Sequence, residues 1–167
     1  MANITCNGLE EYSLRLAKLE GESENVAKRA VYAGAEVIAD AIKSGLKQLP
    51  IQEGDNNFPP YGEAGEQITG VSRRQKGDLI DSFGLAPIQE FKKGYLSTKA
   101  GWDGYGSVPT RKYPKGVPNQ LLMRSIESGT SFRKKNPIVR KAVMSNKKKS
   151  IEAMGKEIDK ACKEIMK

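Results

Sequence analysis

The chain has 167 residues, 28 Lys plus Arg against 20 Asp plus Glu, and no histidine. That length suits one domain with a modest core. The missing histidine, with only Cys6 and Cys162 far apart in sequence, excludes a zinc finger, a Cys/His nucleophile pair or a Ser/His/Asp triad built from this chain alone.

Two cysteines make no disulfide framework, and Met1 to Leu9 shows neither a basic n-region nor an apolar h-region, so a soluble intracellular product with no membrane partner is expected. The charge of +8 is unevenly spread. Residues 1–66 carry 6 basic and 11 acidic side chains, residues 67–132 carry 10 and 5, and residues 133–167 carry 12 and 4. An acidic front and a basic back point either to nucleic acid or to self-association through unlike patches. The bland alternative is a solvated basic helix.

In chain order, Leu9 to Leu19 reads as a short helix stopped by Gly21. Val26, Ala30, Val31, Val37, Ile38, Ala41, Ile42, Leu46 and Leu49 then recur at three- and four-residue steps. This predicts a long amphipathic helix, capped by Ser23 or Asn25 and ended by Pro50. Its alanines and Gly34 invite close approach by a sheet or another helix. Residues 50–77 hold eight glycines and prolines without periodicity, which predicts a long loop serving as an assembly arm, mobile until a partner orders it. A brief helical turn follows at Asp78 to Phe83.

Leu85 to Phe91 and Tyr95 to Trp102 read as a hairpin turning at Lys92, Lys93 and Gly94, with Pro87 implying that the first strand either begins at or after it or is an edge strand. Gly101 to Pro118 is a second irregular segment, in which Trp102, Tyr105 and Tyr113 alternate with Arg111, Lys112 and Lys115. Those aromatics either stack on bases or a protein partner, or fold back on the core. Asn119 is expected to cap a helix that Gly129 ends, and Asn136 with Pro137 to open a last basic helix, residues 136–167, continuous through Lys147, Lys148 and Lys149 with one lysine stem lying on apolar surface. Asp78 and Asp81 are a weak carboxylate pair. No catalytic constellation, metal set or cofactor motif is evident, so no enzyme and no cofactor are expected. The fold class is α+β: one domain over 1–167, a small antiparallel sheet packed by long N- and C-terminal helices, with a long Gly/Pro-rich loop.

Ile126-Glu127-Ser128-Gly129-Thr130, a basic link with Arg133, Lys134 and Lys135, and Asn136-Pro137-Ile138-Val139 form the clearest constellation. Together with Asn7-Gly8-Leu9, the Ala-rich helix ending at Pro50, and the run Gly77, Asp78, Leu79, Ile80, Asp81, Ser82, this order resembles the HK97 gp10-like group of tailed-phage morphogenesis proteins. The chain departs from that pattern at Leu122, Met123 and Ser128. The resemblance implies a structural virion protein of the neck or proximal tail that completes the tail and joins it to the head. It would form a ring of copies, six by the resemblance, around the DNA path. It would assemble in the host cytoplasm, remain in the virion, and touch neighbouring neck and tail-tube proteins, with the passing DNA as a further contact. The motif residues Gly77, Leu79, Ser82, Glu127, Gly129, Thr130 and Pro137 would then be interface or structural positions. Arg133, Lys134, Lys135, Lys147, Lys148 and Lys149 would form a basic interface. Gly129 and Thr130 read best as a helix stop, whereas Glu127 is open to Arg124, to a linker cation or to a neighbouring subunit. The alternative function is a basic nucleic-acid-binding module.

Overall fold

A computed structural model describes residues 9–54 and 66–167. Its first element is a single helix, α1, Leu9–Lys47, 39 residues long. The expected stop at Gly21 does not occur, and Ser23 and Asn25 lie mid-helix rather than at a cap. A helical glycine costs only about 1 kcal/mol. Here its neighbours are strong helix formers joined by the i,i+4 pairs Glu11–Arg15 and Glu24–Lys28, each 2.6 Å. The helix ends at Lys47, three residues before Pro50, and Leu49 folds back through its N–H to the Leu46 carbonyl.

The last helix, α4, spans Ile138–Ile165 and runs unbroken through the three lysines. It lies antiparallel to α1. Gly45 faces Ile138, the Gly34 carbonyl accepts from Ser150 Oγ at 2.8 Å, Arg29 bonds Glu157 and Glu164, and Arg15 reaches the Met166 carbonyl. The small residues act as expected, with a helix rather than a sheet as the partner: a side chain at Gly45 would run into Ile138, and one at Gly34 into Met154. Arg29 stays exposed, and Glu157 first and then Glu164 raise its pKa above the ordinary value.

Between these helices lies α2, Arg73–Asp81, opened by Ser72 and Gln75 in a reciprocal capping box. The hairpin follows with the expected turn, Gly94 at φ 80°. It pairs in two stretches: β1 Phe83–Leu85 with β4 Ala100–Trp102, and β2 Gln89–Lys92 with β3 Tyr95–Ser97. The expected first strand thus starts two residues earlier and breaks around Pro87. α3, Asn119–Ser128, completes the set. Asn119 does not cap it. Pro118 holds that position, and buried Asn119 donates from Nδ2 to the Asp103 carbonyl at 2.9 Å, tying down the irregular segment instead. The fold is α+β.

Ile42 and Leu46 of α1, Leu79 of α2, Met123 and Ile126 of α3, and Val71 form the most deeply buried core. Both described parts of the 50–77 segment are fixed to it. Ile51 bridges Val71, Gln52 Oε1 accepts from Thr69 and Gly70, and Ile68, Val71 and Ser72 are buried. Residues 73–77 belong to α2. The expectation of one continuous arm over 50–77 is corrected to that extent, and the part of it on 55–65 lies outside the described residues. Among the described residues, no helix is long and apolar enough to cross a membrane.

Candidate functional site

The motif residues near Glu127 build one joint, between α3 and α4. Gly129 ends α3 at φ 76°, its N–H bonding the Ser125 carbonyl at 3.0 Å. Thr130 and Arg133 then close a tight turn by exchanging backbone bonds at 2.9 and 3.3 Å. This turn is pinned to the segment before α2: Ile68 N–H donates to the Phe132 carbonyl and Lys134 N–H to the Ile68 carbonyl, both 2.9 Å. The Thr130 hydroxyl itself is buried without a partner among the described residues.

Glu127 answers the question left open by the sequence. Its carboxylate accepts the backbone N–H groups of Val139 at 2.9 Å and Arg140 at 3.0 Å. Those are free donors of the first turn of α4, whose capping residue is Pro137, with no side-chain bond from Asn136. An acid from α3 therefore caps α4, where the positive end of the helix dipole favours it. We expect Glu127→Ala to lower unfolding free energy by about 1–3 kcal/mol, and Glu127→Gln by less since it keeps one neutral acceptor. Urea titration followed by circular dichroism checks this. Equal stability of the alanine variant and the parent would remove the capping role.

Arg133 corrects the expected basic interface. It is 4% exposed, and its guanidinium donates to the Gly70 carbonyl. Desolvation lowers its pKa. The residue fastens the joint to the loop before α2 and is closed to a partner. The other five expected cations are exposed, Lys134 and Lys135 beside the joint and Lys147, Lys148 and Lys149 on α4. In the earlier motif Leu79 is wholly buried, Ser82 caps the C-terminus of α2, and Gly77 sits mid-helix with open space beside it.

Trp102 and Tyr113 divide between the two readings of their loop. The Trp102 ring packs 4.9 Å from Phe83, and its Nε1 donates to the Leu79 carbonyl at 3.0 Å. One face of it remains on the wall of a groove of about 570 Å³ between β4, α3 and α4. Tyr113 is half-buried in the turn with Thr110, while Tyr105 is exposed. Asp78 is committed to the Ser107 N–H and hydroxyl, at 2.7 and 3.0 Å. Among the described residues, no three metal-binding side chains converge.

Sequence reasoning missed the exposed apolar surfaces. Met144, Ile151 and Ile158 stand outward on α4 at seven-residue steps, 77%, 59% and 41% exposed. Tyr12 and Leu16 do so at the start of α1. The heptad interval on α4 is legible in the sequence, but the exposure of these residues is not. Periodicity alone does not say which of two apolar stripes on one helix is already covered. The chain matches no family model, no curated protein and no solved structure in comparisons with each.

Proposed function

We propose that this protein is a structural subunit that assembles with copies of itself into a ring, and that the ring serves as a tail-completion or head-tail joining component of a tailed-phage virion. The observation that carries the self-assembly reading is the separation of unlike surfaces along the α1/α4 pair. Residues 9–25 of α1 hold five acidic and two basic side chains with exposed apolar ones among them, whereas residues 138–151 of α4 hold five basic and no acidic ones, again with exposed apolar neighbours. Unlike patches on one surface favour heterologous contacts, which close into rings when the rotation permits. Opposite charge favours the right register and disfavours like-to-like pairing.

The virion role rests on the resemblance of the ordered motifs. It is supported by their folding into one continuous unit: Glu127, Gly129, Thr130 and Pro137 at a single joint, and Leu79 in the core beneath it. The proposed partners are other copies of this chain, neighbouring neck and tail-tube proteins, and DNA along the axis, in the virion and, during assembly, in the host cytoplasm. The nucleic-acid-binding alternative draws less support, because Arg133 is buried and Trp102 is committed to Phe83 and Leu79.

Deleting the gene from a phage that carries it tests the reading. The expected result is filled heads and separate tails that do not join, restored by the protein supplied in trans. Normal particles in the deletion strain would contradict it.

A further inference from the structure

Resting on the ring reading, we propose that the first turns of α1 from one copy dock in the groove between β4, α3 and α4 of the next. The α1 stripe that packs on α4 includes Val26 and Ala30, and Leu19, Leu16 and Tyr12 continue it in heptad phase. Arg15 already meets the backbone of Met166, so Tyr12, one turn earlier, lies past the end of α4. Between Glu10 and Asn25 no side chain is buried, and Tyr12 and Leu16 are 55% and 44% exposed. This is half of a helix–helix seam without its other half inside the described residues.

The groove stands at the opposite end of the α1/α4 pair, about 40 Å away at 1.5 Å per helical residue. Trp102, Met123, Val139, Val143 and Met144 give it apolar walls, Arg124 and Arg140 line it as well, and the Glu127 carboxylate that also lines it is engaged by the Val139 and Arg140 N–H groups. From Met144 the outward stripe continues to Ile151 and Ile158 at the same heptad interval, past Lys147 and Lys148. A second α1 laid there would bring Glu10, Glu11 and Glu20 against these cations. Charge chooses this occupant over another exposed apolar feature, the hairpin tip. The hairpin tip with Phe91 and Tyr95 carries Lys92, Lys93 and Lys99 against Glu90, and like charge would meet like.

Two exposed substitutions test the contact in the full chain, Leu16→Glu in the α1 tip and Met144→Glu in the groove. Glutamate is a good helix former, so circular dichroism should match the parent. Burying a lone carboxylate in an apolar contact should weaken self-association by about tenfold or more for each variant. Mixed together, they should form a 1:1 dimer that grows no further, because each retains the surface the other lacks; sedimentation velocity and native mass spectrometry read this. Loss of assembly in Met144→Glu alone, with no rescue on mixing, would mean that α4 faces pair with one another and would overturn the proposal. Unchanged assembly by both variants would mean that the groove and tip are covered within one chain or play no part; it too would overturn the proposal while leaving the ring reading standing. A parent chain that stays monomeric at all concentrations would overturn both.

Discussion

Leu79→Ala is expected to cost about 2–5 kcal/mol of unfolding free energy, the range for removing a fully buried leucine from a core that collapses only partly. Leu79 has no exposed surface and packs in the cluster with Ile42, Leu46 and Met123, while its carbonyl receives the Trp102 indole N–H. The cavity would therefore open where α1, α2, α3 and the hairpin meet. Two residues away, Gly77→Ala is expected to be neutral or to stabilise by up to about 1 kcal/mol, because the site is helical and a Cβ meets nothing within 4 Å. The two variants divide the motif into a packing residue and an incidental one. Urea unfolding decides it. A Leu79→Ala protein as stable as the parent would mean that the core is not the one described here.

Replacing Lys147, Lys148 and Lys149 together by glutamate is expected to leave helical content intact and to weaken ring assembly by tens of fold. All three side chains are exposed on an unbroken helix, so the fold does not need them. Each exposed ion pair is worth about 0.2–1 kcal/mol, and reversing a charge both removes an attraction and adds a repulsion. Lys147 and Lys148 flank the stripe from Met144 to Ile151, with Lys149 about 100° further round the helix, so the two reversals on that face sum to about 1–4 kcal/mol of association free energy if the acidic start of α1 is what they meet. The effect should shrink as salt rises, since exposed charges are screened over about 10 Å at 0.1 M. Sedimentation of the triple variant at low and high salt measures it. Assembly indistinguishable from the parent at both would make the basic stretch a solvated face.

The parts of the fold legible from sequence were those written in long-range helical phase. Val26 to Leu46 and Ile138 to Ile165 hold their apolar spacing over many turns, and Gly94 marked the hairpin turn because positive φ there suits glycine. Misreadings arose where one residue type has two physical uses. Gly21 looked like a stop, yet charged helix formers on either side carry α1 through it. Asn119 had the right side chain for a cap, and its amide is spent instead on the Asp103 carbonyl, sixteen residues earlier. Arg133 looked like one more surface cation beside Lys134 and Lys135. It is buried because the turn it closes with Thr130 lies over Gly70, a contact between segments 63 residues apart that no local pattern encodes. The candidate assembly surfaces were half legible: the charge split could be counted, but which apolar stripe faces outward is decided by the antiparallel packing of α1 on α4.

The central claim, that this chain closes on itself through unlike surfaces, is tested most directly by electron microscopy of the purified full-length assembly. Two-dimensional class averages should show closed rings with a central opening and one copy repeated head to tail around it. Two-fold dimers or single particles with no ring would contradict the account.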